Sequence, residues 1–111
     1  MSQPQINSRF HTSADGLKLH LRDYVPVQAT RLPVICLPGL ARTADDFDVV
    51  ARAIANGAHG APRRVIAIDY RGRGLSDRDP DPKKYDIGIE SADIQLMLAQ
   101  EGIEKAIFLG T

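Results

Sequence analysis

The chain has 111 residues, of which 43% are hydrophobic and 25% are charged, a composition typical of an ordinary soluble globular domain. Its 14 lysines and arginines offset 14 aspartates and glutamates with no basic stripe, which argues against nucleic acid as a partner. No apolar run approaches the roughly 20 residues that span a bilayer, and the polar N-terminus has no signal-peptide core, so we expect a cytoplasmic protein without a membrane partner.

Two segments near the N-terminus predict a β-hairpin. Residues 9–13 and 17–24 flank a turn at residues 14–16, whose Asp-Gly pair is a strong hairpin signal. Leucines alternate with polar residues in the second segment. The alternation predicts one buried side and one solvent-facing side, and it places His20 on the solvent-facing side.

The rest of the sequence alternates apolar strands with helices. Residues 34–37 and 64–69 are runs of the kind found in strands covered on both faces. Helical spacing predicts helices over residues 43–57 and 86–101, and residues 106–109 predict a third parallel strand. The predicted fold is α/β: a β-hairpin followed by a parallel β-α-β-α-β unit, giving a mixed sheet with helices on both faces.

Isolated titratable residues indicate structural roles. Cys36 stands alone in an apolar strand, which is typical of a small buried hydrophobe and not of a redox or metal thiol. Asp45, Asp46 and Asp48 favour a helix N-terminus and lack the glycine and terminal glutamate of a calcium loop. The sequence therefore predicts neither a metal site nor a cofactor.

Two loops follow the apolar strands. The Pro-Gly pair at residues 38–39 is common at strand ends, and on its own it indicates only a turn. The loop at residues 69–77 contains two glycines but lacks the third glycine of a dinucleotide loop and the G-K-S/T of a P-loop. We therefore interpret Arg71, Arg73 and Asp77 as residues that hold a structural turn.

Three stretches resemble the N-terminal portion of the α/β-hydrolase fold superfamily, in its esterase, lactonase and C–C hydrolase branch. They are the Leu-Pro-Gly-Leu loop at residues 37–40 with Asp-Phe at 46–47, the D-x-R-G-x-G-x-S-D loop at 69–77, and Phe-Leu-Gly-Thr at 108–111. The first departs from the family at Pro38, where a histidine is usual. The resemblance implies that residues 1–111 are the N-terminal part of a single hydrolase domain, ending just before the nucleophile elbow.

The resemblance also implies a reaction and a site. A serine expected just after Thr111 would attack small esters, lactones or C–C bonds, in a serine hydrolase completed by the remaining C-terminal polypeptide. The backbone N–H of Leu40 would donate to the oxyanion, and Gly39, Leu40 and Arg42 would line the substrate site. The expected partners are a small-molecule substrate and that remaining polypeptide, without which this chain lacks a nucleophile and a triad.

Other functions stay open on the same residues. An aspartate at the elbow would give a haloalkane dehalogenase-like enzyme, and an incomplete set of catalytic residues downstream would give a non-catalytic ligand-binding protein of the same fold. A self-contained flavodoxin-like domain is a third alternative. The uncovered apolar strand at residues 106–109 counts against it, because natural proteins avoid such edges, and we expect further strands beside it.

Overall fold

The computed structural model describes residues 4–29, 31–39, 42–58 and 60–110 of the chain. The strands are β1 (Gln5–Thr12), β2 (Lys18–Val25), β3 (Val34–Leu37), β4 (Val65–Ile68) and β5 (Ile107–Gly110). The α-helices are α1 (Asp48–Ala55) and α2 (Ile87–Gln100), and short 3-10 helices lie at Ala44–Phe47 and Pro82–Lys84. Strands pair in the order β1-β2-β4-β3-β5, with β4, β3 and β5 parallel and the hairpin antiparallel, which confirms the predicted mixed sheet.

The two helices cover opposite faces of this sheet. Alternate side chains of β3 and β4 point to opposite sides: Val34 and Val65 pack with α1, whereas Ile35 and Ile66 pack with α2. From α2 itself, Met97 packs against this side of the sheet, with Ile94 and Leu98 partly buried beside it. The three residues share one face of the helix, as the helical spacing predicts. Burying each large apolar side chain stabilises the fold by ~1.5–3 kcal/mol.

The strand β2 differs from its prediction. The hairpin itself is confirmed, with Gly16 in its turn at φ +93°. However, β2 pairs with β4 along its other edge, and both of its faces are covered. Leu19 and Leu21 pack toward α2, and His20 is fully buried on the opposite face. The prediction of a solvent-facing His20 is wrong because the alternation fixes which side chains share a face and not what covers that face.

Local signals set the ends of the helices. The N–H of Thr43 donates to Oδ2 of Asp46 at 2.9 Å, so this aspartate lies at a helix N-terminus, as predicted. Asp86 caps α2 by accepting from the N–H groups of residues 88 and 89. At the other end, Gly102 adopts φ +73°, and the N–H of Ile103 donates to the carbonyl of Leu98 at 2.9 Å, forming a Schellman motif.

Cys36 is buried on the α1 side of β3, as predicted for a small hydrophobe. Burial raises the pKa of its thiol to about 11. Within the described ranges, no helix is both long and apolar enough to cross a membrane.

A cluster of ion pairs joins the C-terminal end of α2 to the sheet. Glu101 accepts from Arg9, from Arg64 at 2.7 Å and from Nε2 of His11 at 2.6 Å, and Asp23 pairs with both arginines. Burial acts to raise the pKa of Glu101, but the hydrogen bonds from Arg9 and His11 outweigh it and lower that pKa to about 2. The ionised carboxylate therefore stabilises the folded state.

Acid should remove this contribution. The folded pKa of Glu101 lies below its ordinary value of 4.5, so the stabilisation is present above about pH 4.5 and is lost as the pH falls toward 2. We expect the melting temperature of Glu101→Gln to depend less on pH in this window than that of the wild type. Thermal melts over a pH series test this, with the exposed Glu104→Gln as control. Equal pH slopes for Glu101→Gln and the wild type would contradict the assignment.

Candidate active site

Two loops meet at the C-terminal edge of the parallel strands. Leu37, the last residue of β3, lies opposite Gly110, the last residue of β5. The chain segments that follow these residues therefore leave the same edge of the sheet, where α/β folds bind their ligands. Leu40, the predicted oxyanion donor, and Thr111 lie outside the described residues.

A cavity of about 360 Å³ opens beside these loops. Its walls come from the loop after β3, the loop after β4 and the first two turns of α2: Leu37, Pro38, Gly39, Tyr70, Arg73, Ile87, Glu90, Ser91 and Ile94. Gly39, one of the predicted substrate-binding residues, is among these lining residues. Arg42, another of them, is not: its N–H donates to the Gly39 carbonyl at 3.1 Å, and its largely exposed guanidinium lies 3.9 Å from Asp46.

Tyr70 and Glu90 bring a phenol and a carboxylate to the same cavity. Burial and the neighbouring Glu90 raise the pKa of the Tyr70 phenol, so this group remains protonated and can donate a hydrogen bond at neutral pH. The cavity therefore combines apolar walls from β3 and α2 with polar groups at its rim, the usual composition of a small-molecule site.

Asp69, the first residue after β4, holds both loops in place. Its carboxylate accepts from the N–H of Ala44 at 2.7 Å, from the N–H of Leu75 at 3.2 Å and from Nδ1 of His20 at 2.6 Å. Burial acts to raise the pKa of Asp69, but these hydrogen bonds outweigh it and hold the pKa below its usual range. Gly74 has φ +53°, and a Cβ there would overlap the Asp69 carboxylate, so only glycine fits.

His20 also contacts a serine. Its Nε2 lies 2.9 Å from Oγ of Ser8, so the contacts run Ser8–His20–Asp69, the order found in catalytic triads. Ser8 lies on β1, at the opposite edge of the sheet from β5, and it does not line the cavity. Asp69 is also committed to two backbone N–H groups. We therefore assign the three residues a structural role, and Ser8 serves below as a control.

Arg71 is the most buried charge in the second loop, with 1% of its side chain exposed. Its guanidinium makes two hydrogen bonds of 2.7 Å to Asp93 of α2 and further contacts to Asp15 and Asp79. The hydrogen bond from Arg71 is the main cause that lowers the pKa of Asp15. The structural role predicted for Arg71 fits these contacts, although two of its partners, Asp93 and Asp15, lie 22 and 56 residues away along the chain.

Arg73 and Asp77 also have partners outside their own loop. Nη1 of Arg73 donates to the Gly39 carbonyl at 3.1 Å. Asp77 exchanges hydrogen bonds with Lys18 at the start of β2: the N–H of Lys18 donates to Oδ2 of Asp77, and the N–H of Asp77 donates to the Lys18 carbonyl. The loop is therefore fixed against β2 on one side and against the loop after β3 on the other.

Sequence reasoning missed His20 and Glu90, among other residues that build this site. His20 carried no local signal of its contact with Asp69, and no motif around Glu90 indicated a site. Only the strand order and the position of α2 bring them to the loops. Across the described ranges, no group of three or more histidine, cysteine, aspartate or glutamate side chains could hold a metal ion.

The architecture recurs in known hydrolases, although no protein-family model matches the chain. A solved α/β hydrolase from Novosphingobium aromaticivorans is 42% identical, with a TM-score of 0.79 over 99% of this chain and 35% of that one. An epoxide hydrolase from Vigna radiata shares the fold at 20% identity, with a TM-score of 0.73 over 95% of this chain and 30% of its own. The curated 3-hydroxybutyrate-oligomer hydrolase of Cupriavidus necator is 33% identical over 78 residues, which are 70% of this chain and 25% of that protein.

The chain spans about a third or less of the length of each of these three hydrolases. Its mixed sheet and its helices on both faces agree with the predicted fold. On these grounds the chain belongs to the α/β-hydrolase fold superfamily.

Proposed function

We propose that this chain contributes the scaffold and one oxyanion donor to a cytoplasmic serine hydrolase of small carbonyl substrates. The observation that carries the proposal is the parallel register of Leu37 with Gly110, which directs the predicted oxyanion loop and the chain after β5 to one edge. A nucleophile following residue 111 would then lie close to the backbone of residues 39 and 40. Polypeptide beyond this residue would supply the nucleophile, the acid and the base.

The cavity supports a small substrate with an apolar part. Leu37, Ile87 and Ile94 provide apolar wall, and Arg73 and Glu90 provide polar groups at the rim. Attack on an ester carbonyl builds negative charge on oxygen, which backbone N–H donors stabilise by roughly 3–4 kcal/mol each. The N–H of Leu40 is the donor that we assign to this role.

Esters of hydroxy acids are the first substrates to test. The relative from Cupriavidus necator is named for hydrolysis of 3-hydroxybutyrate oligomers, whose units are joined by ester bonds. Its matched segment covers 70% of this chain, so the likeness includes most of the scaffold described here. Lactones and C–C bonds activated by a carbonyl group are the wider substrate classes of the proposal.

A fluorophosphonate probe tests the proposed chemistry directly, because it labels activated serines covalently. We expect the full-length protein to hydrolyse p-nitrophenyl butyrate and 3-hydroxybutyrate dimers, and peptide mass spectrometry to locate the label on a serine that follows residue 111. Ser8→Ala is the matched control, since Ser8 has a histidine partner but lies away from the cavity. This variant should still be labelled.

Two outcomes would contradict the proposal. Loss of labelling in Ser8→Ala would identify Ser8 as the nucleophile. Failure of the wild type both to take the label and to cleave esters would reject serine chemistry and favour an aspartate nucleophile or a non-catalytic binding protein. Turnover of haloalkanes by the unlabelled protein would identify the aspartate alternative, since a carboxylate can form a covalent ester intermediate.

A further inference from the structure

One arginine links the loop after β4 to the loop after β3. Nη1 of Arg73 lies 3.1 Å from the carbonyl oxygen of Gly39, and the N–H of Arg42 donates to the same oxygen at 3.1 Å. A carbonyl oxygen has two lone pairs and can accept both hydrogen bonds. The Gly39 carbonyl is therefore held from two directions, once from its own loop and once from the neighbouring loop.

The surrounding loop fixes Arg73 itself. Its N–H donates to the carbonyl of Tyr70 at 3.0 Å, and its carbonyl accepts from the N–H of Ser76 at 2.9 Å. The guanidinium carbon lies 5.8 Å from the centre of the Tyr70 ring, within the range of a cation–π contact. Ser76 in turn donates from Oγ to the Asp69 carbonyl. The side chain of Arg73 thus reaches Gly39 from a backbone that several hydrogen bonds hold.

A peptide bond is planar, and in its trans form the C=O and the following N–H point in opposite directions. A group that holds the carbonyl of a peptide therefore also restrains the direction of the N–H in the same peptide plane. A cationic donor on the carbonyl also polarises the amide, which strengthens its N–H as a hydrogen-bond donor. We propose that Arg73 is a positioning residue for the oxyanion donor of this site, an inference that rests on the proposed function.

This role differs from substrate binding by Arg73, which also lines the cavity. An arginine that binds the substrate contributes to the ground state and the transition state alike, so its loss raises KM. An arginine that orients the oxyanion donor acts where charge develops, so its loss lowers kcat. The two roles therefore predict opposite divisions of the effect between kcat and KM.

The test compares Arg73→Ala and Arg73→Lys with the wild type in the full-length protein. With p-nitrophenyl butyrate, we expect Arg73→Ala to lower kcat about 10-fold or more while KM changes less than about 2-fold, because a weakened oxyanion donor affects mainly the transition state. The inhibition constant of a trifluoromethyl ketone, which forms an oxyanion with serine, should rise in parallel with the loss in kcat. Arg73→Lys should recover part of the loss, because an ammonium group can still donate to the carbonyl.

Arg63→Ala is the matched control, because Arg63 also donates to a backbone carbonyl, that of Leu32 at 2.8 Å, away from the cavity. It should leave kcat unchanged. Amide hydrogen exchange of residues 39–42 tests the contact without an assay: it should accelerate in Arg73→Ala and not in Arg63→Ala.

The outcomes separate the two proposals. Unchanged kcat, a rise in KM alone, or unchanged exchange in a folded Arg73→Ala protein would each overturn the positioning role. A wild-type protein that neither cleaves esters nor takes the fluorophosphonate label would reject the proposed function. The exchange measurement would then still decide whether Arg73 holds this peptide, and a negative result there would overturn the inference independently.

Discussion

Arg71→Ala should lower the free energy of unfolding by about 3–5 kcal/mol, because it leaves buried carboxylates without their counter-charge. The Arg71 guanidinium makes two 2.7 Å hydrogen bonds to Asp93 and approaches Asp79 at 3.1 Å, and these carboxylates are almost inaccessible to solvent. Carboxylates with so little exposure depend on this guanidinium for most of their stabilisation. Urea denaturation of the full-length protein measures the change.

Arg52→Ala provides the matched control for that measurement. Arg52 also pairs with an aspartate, Asp48 at 2.8 Å, but half of its side chain is exposed and the pair lies one helical turn apart on α1. Exposed pairs of this kind contribute about 0.3–0.5 kcal/mol. A comparable loss of stability in both variants would show that burial does not amplify the role of Arg71.

Leu40→Pro should lower kcat for ester hydrolysis by about 100-fold or more, because proline has no N–H to donate to the oxyanion. The residue before a proline is restricted to extended geometry, but that residue is Gly39, whose backbone is the most permissive. Steady-state kinetics with p-nitrophenyl butyrate measure the effect. Thermal melting verifies that the variant is folded.

Leu40→Ala separates the backbone from the side chain at this position. It keeps the N–H and removes only apolar atoms, so we expect kcat to stay within about 3-fold of the wild type. A folded Leu40→Pro protein with normal turnover would remove this N–H from the site. A large loss in Leu40→Ala would indicate instead that the side chain of residue 40 shapes the substrate cavity.

Features that arise from short stretches of sequence were predicted well. The apolar runs of β3 and β4, the hairpin turn at Gly16 and the position of Asp46 at a helix N-terminus each depend on neighbours within a few residues, and all are confirmed. The mixed sheet with helices on both faces also followed from the alternation of strands and helices along the chain. These signals are strong because the hydrogen bonds that they describe are local.

Long-range contacts, both in the fold and in the site, have no local signal. Arg9 and Glu101 of the ion-pair cluster are 92 positions apart, and Arg73 and Gly39 of the site are 34 apart, so neither pairing could be read from spacing. His20 shows the same limit. The alternation along its strand shows which face of the sheet His20 occupies, but only the assembled sheet brings Asp69 to that face. Contacts between segments that are far apart in the sequence can therefore be identified only from the folded structure.

The shared carboxylate of Asp69 limits how this site can be redesigned or can diverge. Loops in α/β folds are commonly replaced one at a time to alter specificity, because each is anchored separately to the scaffold. Here the Asp69 carboxylate accepts hydrogen bonds from three places: the loop after β4, the segment that starts at Ala44 and the side chain of His20. Gly74 has no side chain and so leaves room for this carboxylate. Replacement of this loop would therefore have to exchange residues 69–76 together and keep the histidine at position 20. We also expect substitutions at these positions to occur together as related sequences diverge.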